Sequence, residues 1–139
     1  MPGLLLIAHA PLASALKAVA EHAFPNCAPQ LAVLDVTPAM SAEGVEAAAR
    51  ELLAGSSHTE WLVLTDAFGA TPSNAALRLL DEAGHIRLVS GVNVSMLWRS
   101  LCYAGEPVER LAQRASEGGA AGIVVADLPV NPYQSPESP

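Results

Sequence analysis

Basic residues are scarce in this chain: 7 Lys and Arg stand against 14 Asp and Glu, for a formal net charge of −7. Neither a basic cluster nor a Lys/Arg stripe with interleaved aromatics occurs, so a phosphate backbone finds little to bind and nucleic acid is excluded as a partner. Aromatic residues make up only 4% of the chain while Ala, Leu and Val dominate. That composition suits helices packed closely over a parallel sheet better than an aromatic-rich β-sandwich. Cysteine is limited to Cys27 and Cys102, far apart and in no C-x-x-C arrangement, each among apolar or small residues, which points to free thiols in a reducing compartment. Long hydrophobic runs are also missing. The opening "GLLLIAHAPLASALKAVA" has no basic leader and its apolar block is only about five residues, too short for a signal peptide. No other stretch approaches the ~20 apolar residues of a membrane span. A cytoplasmic protein without direct membrane insertion is expected.

What is present is a chain of 139 residues, 51% of them hydrophobic, enough for one compact domain with its own core. Residues 1–127 form that expected domain, and the Pro- and Ser-rich residues 128–139 read as a flexible tail. "GLLLIA" (3–8), "LAVLDV" (31–36), "WLVLTD" (61–66) and "HIRLVSG" (85–91) are short apolar runs of the kind that form buried strands. Between them lie helical patterns. Leu12, Leu16, Val19 and Ala23 carry the first; Ser41 caps a second that stops at Gly55; Pro72 or Ser73 opens a third that Gly84 closes. "VNVSMLWRSLCYAG" reads as a loop and short helix, "PVERLAQRASEGG" as a further helix, "GGAAG" (118–122) as a turn, and "AAGIVVADL" as a last strand.

Strand and helix alternate with short connections, so right-handed crossovers predict an α/β fold: one open, doubly wound, mostly parallel sheet with helices on both faces. The order 2-1-3-4 sets the first strand beside the third. Their carboxyl ends then form the crevice where such sheets bind ligands, and the sequence delivers His9 and Asp66 there. A neutral imidazole is a competent nucleophile toward phosphorus, and a carboxylate that accepts one ring N–H presents the other nitrogen's lone pair to a substrate. "GATPSN" begins a helix, so its backbone amides and the Thr71 hydroxyl can meet phosphoryl oxygens on His9. Each piece also has a plainer reading: a solvated histidine, an aspartate capping its own turn, an ordinary helix start.

Other signatures are missing. G-x-G-x-x-G, Walker A and G-x-S-x-G motifs do not occur. A response-regulator receiver would place an acidic pair after the first strand, where "IAHA" stands, and a lysine after the last, where "VADL" stands. His22, His58 and His85 have no metal-ligand spacing with another His or Cys, so neither a metal nor a cofactor is expected.

The blocks "IAHAPLASAL", "LTDAFGATPSNAA" and "GVNVSMLWRSL" together resemble the IIA domain of the mannose family of the sugar phosphotransferase system. The resemblance implies a phosphotransferase component working through a phosphohistidine. His9 would accept a phosphoryl group from HPr and pass it to a IIB domain, Asp66 would hydrogen-bond His9, and Gly69, Ala70 and Thr71 would bind the phosphoryl group. It implies a homodimer in which the last strand pairs antiparallel with, and is exchanged between, subunits; pairing within its own chain is the alternative. A stand-alone regulatory phosphoprotein, whose His9 state controls protein binding without sugar transport, is the alternative function; a small-molecule binding module is a third. The chain departs from the family pattern where Ala10, followed by Pro11, replaces a glycine, where Ala70 replaces a second glycine, and where Ser95 replaces a proline.

Overall fold

In the computed structural model, which describes residues 1–128, strands and helices follow one another as the periodicities predict. They are β1 (Gly3–His9), α1 (Leu12–Ala23), β2 (Leu31–Val36), α2 (Ala42–Ala54), β3 (Trp61–Thr65), α3 (Thr71–Leu77), β4 (Ile86–Ser90), α4 (Val94–Cys102) and α5 (Val108–Ala121). The sheet has the order β2-β1-β3-β4 and all of its strands run parallel. Leu4 pairs with Leu31 on one side and Leu62 on the other, so β1 is flanked along its length.

A strand sends successive side chains to opposite faces, and β1 uses both. Leu4, Leu6 and Ala8 join Leu62 and Leu64 against α1, α4 and α5, through Ala13, Leu16, Leu97 and Leu111. Leu5 and Ile7 join Val63 against α2 and α3, through Val45, Ala49, Ala75 and Ala76. Each fully buried Leu or Ile contributes about 1.5–3 kcal/mol of transfer free energy, so the central strand anchors both cores. Ser41 caps α2 as the sequence suggests, its Oγ accepting from the Gly44 N–H at 3.0 Å, and Gly55 follows the last turn.

Two expectations are corrected. The third helix ends at Leu77 and does not reach Gly84, because the chain tightens into i→i+3 turns. In these turns the N–H groups of Arg78, Leu79 and Leu80 donate to the carbonyls of Ala75, Ala76 and Leu77. Asp81 then holds the next loop, accepting from the amides of His85 at 2.8 Å and Ile86 at 3.3 Å. "GGAAG" is not a turn: α5 runs on through Ala121. A Cβ on Gly118 would lie 2.6 Å from Arg99 Cβ, and one on Gly119 2.8 Å from Met96 Cε, so these glycines let α5 press against α4. The last strand is expected to pair across a dimer, and within the single chain residues 123–127 do not pair with their own sheet, so the alternative of in-chain pairing is not seen among the described residues. The tail lies outside the described residues apart from Leu128.

Candidate functional site

His9 is the last residue of β1 and Asp66 follows the last residue of β3, so the parallel register of adjacent strands delivers both to one end of the sheet. Asp66 Oδ2 accepts from the His9 backbone N–H at 3.0 Å and lies 2.7 Å from His9 Nδ1. Its other oxygen accepts from the Ala67 N–H at 2.8 Å. Partial burial pushes the Asp66 carboxyl upward, but the backbone and ring hydrogen bonds from His9, the Ala67 amide and the attraction of His9 outweigh it. The carboxyl is held below the usual carboxylate range and ionised.

An ionised carboxylate can only accept, so Nδ1 carries a proton, and in the neutral imidazole the lone pair then lies on Nε2. The His9 side chain is 54% exposed while that of Asp66 is 14% exposed, which leaves the ring accessible and its orienting group shielded. A neutral imidazole held in this way can attack an electrophile from solvent or from a docked partner.

The ring borders a cavity of about 220 Å³ shared by Ala10, Val36, Thr37, Pro38, Met40 and Thr71. Thr71 is therefore brought to His9 from the start of α3. Gly69 and Ala70 sit on the same loop but not on the cavity wall, and the Ala70 N–H donates to the Ala67 carbonyl at 3.3 Å. Gly69 turns the loop with φ at +91°, and the Ala10–Pro11 peptide is cis. The β2–α2 loop, which supplies Thr37, Pro38 and Met40, is not singled out by any motif in the sequence.

A second group also escapes motif reading. Thr65 Oγ1 lies 2.7 Å from Ser73 Oγ and 2.8 Å from Ser90 Oγ, and the two serine hydroxyls are 2.7 Å apart. Thr65 and Ser73 are buried and Ser90 half-buried. The register pairs Thr65 with Ser90, but that signal appears only once the strand order and the start of α3 are known. The remaining histidines are elsewhere: His22 in the last turn of α1, and His58 and His85 around a separate cavity with Trp61 at the opposite end of the strands.

No curated protein matches this chain. Solved structures do. EIIA of the phosphotransferase system from Streptococcus agalactiae is 26% identical with a TM-score of 0.80, over 90% of this chain and 97% of that one. The mannose/sorbose-specific IIA subunit from Enterococcus faecalis is 24% identical with a TM-score of 0.83, over 94% of this chain and 98% of that one, a likeness of fold. The model of the fructose IIA component of the phosphotransferase system matches residues 3–112, a span that holds the whole sheet and both His9 and Asp66. The chain belongs to this mannose-type IIA family of the sugar phosphotransferase system.

Proposed function

We propose that the protein is a phosphoryl carrier whose His9 accepts phosphate from phospho-HPr and passes it to a IIB domain. The observation that carries this reading is the 2.7 Å contact between Asp66 Oδ2 and His9 Nδ1. It supports a neutral ring protonated on Nδ1, in which Nε2 is the nucleophile. The Nε2 lone pair attacks phosphorus in line, the new N–P bond forms as the donor's N–P bond breaks, and the electron pair returns to the donor nitrogen. Nδ1 keeps its proton throughout, and the Asp66 carboxylate offsets the positive charge that builds on the ring. The onward step reverses this sequence with the IIB nucleophile.

Thr71, on the wall of the His9 cavity, supplies a hydroxyl to the transferred oxygens. The Gly69 and Ala70 amides complete the cradle once Ala70 releases Ala67. The reading places the protein in the cytoplasm, in keeping with free Cys27 and Cys102. It also includes a homodimer formed by exchange of the apolar segment that follows α5.

Incubation with Enzyme I, HPr and phosphoenolpyruvate bearing labelled phosphate tests the chemistry. The wild-type chain is expected to take up an acid-labile, base-stable label, and His9→Ala to take up none. An unlabelled wild type, or equal labelling of His9→Ala, overturns the proposal.

A further inference from the structure

The hydroxyls of Thr65, Ser73 and Ser90 close a ring in which each pair lies within 2.7–2.8 Å. Three hydroxyls have three protons, so a closed ring satisfies every donor internally and needs no outside partner. Each member adjoins a part of the His9 site. Thr65 immediately precedes Asp66; Ser73 follows Thr71 by two residues; Ser90 precedes Gly91, whose N–H donates to the Asp66 carbonyl at 2.7 Å. The ring thus joins the end of β3, the end of β4 and the first turn of α3 beneath the loop that carries Asp66.

Ordinary core packing would fill this place with apolar side chains, as Leu5, Ile7, Val63 and Ala76 fill the layer below it. Apolar side chains hold separation but not direction, whereas hydroxyls bonded to one another hold both. We infer that Thr65, Ser73 and Ser90 are positioning residues that set Asp66 and Thr71 against His9, acting through the backbone and without touching the transferred group. The inference rests on the phosphoryl-carrier reading for its effect on rate, but not for its effect on the imidazole.

The test compares wild type with the combined variant Thr65→Val, Ser73→Ala and Ser90→Ala, which removes all three hydroxyls and so strands none of them unbonded. Nitrogen NMR of the His9 ring in the unphosphorylated protein reads the population carrying its proton on Nδ1, which a merely structural role would not move. A fall in that population, with labelling by phospho-HPr slowed about tenfold or more in a still-folded variant, is expected. Thr65→Ser alone, which keeps all three hydroxyls, should leave both at their wild-type values. A folded variant with the wild-type tautomer overturns the inference whatever the labelling rate. If the combined variant does not fold, Ser90→Ala alone, at the half-buried corner, is judged by the same NMR criterion. Failure of the carrier reading is distinguishable because wild type itself would then not label, while the tautomer comparison would still stand.

Discussion

Asp66 accepts from two groups of His9 and from the Ala67 amide, so its carboxylate is tied to the fold and to the imidazole at once. Its pKa is lowered from 3.8, against a partial burial that acts upward, which means the folded chain binds a proton there less readily than the unfolded chain. The resulting stabilisation is complete above the unfolded value and is lost as pH falls through the folded one. Asp66→Asn should flatten that part of the acid limb, and urea midpoints measured between about pH 2 and pH 6 would show it. An unchanged slope would mean that the carboxylate adds nothing to acid stability. The same substitution also offers His9 an amide that can present either an acceptor or a donor, so the tautomer is no longer dictated. Labelling by phospho-HPr should slow on the order of 100-fold or more, while circular dichroism at pH 7 stays native. Normal transfer by Asp66→Asn would remove its orienting role.

At the scale of elements, legibility follows how local the determining physics is. β1 and β3 were readable because a strand covered on both faces must be apolar throughout, as "GLLLIA" and "WLVLT" are. Alternation with helices and the right-handed crossover then limited the order of strands, and that order alone brought His9 beside Asp66. The Thr65–Ser73–Ser90 ring was not legible, since its members are 8, 17 and 25 residues apart and meet only through register. The helical run through Gly118 and Gly119 was hidden for a related reason: glycine ordinarily breaks helices, and its use here depends on α4. Gly118→Ala tests this. Helix propensity alone favours Ala by about 1 kcal/mol, but a Cβ 2.6 Å from Arg99 Cβ forces α4 and α5 apart. Overpacking of this kind costs about 1–3 kcal/mol, so net destabilisation is expected in chemical denaturation. A stabilised Gly118→Ala would show that the helices separate freely.

For the whole molecule, the segment after α5 carries the largest unresolved demand. Ile123, Val124, Val125 and Leu128 are 75%, 76%, 89% and 97% exposed, in a segment that pairs with no strand of its own sheet. Burying each such side chain is worth up to about 1.5–3 kcal/mol, and a two-fold symmetric exchange would bury the set twice. Bringing two chains together costs an estimated 4–15 kcal/mol, so this one segment has enough apolar surface to offset association if most of it is covered. Electrostatics opposes the pairing, because each chain carries a formal −7 and the like charges repel. Salt screens that repulsion, with a Debye length of about 8 Å at physiological ionic strength, and leaves apolar burial almost untouched. The full chain, 14.3 kDa as a single copy, should therefore sediment as a dimer and associate more tightly as salt is raised. A chain ending at Gly122 should sediment as a monomer at every salt concentration while His9 still labels, since every residue of the His9 cavity precedes the cut. A monomeric full chain at micromolar concentration, or a dimer that survives the truncation, would mean that the segment does not join the subunits.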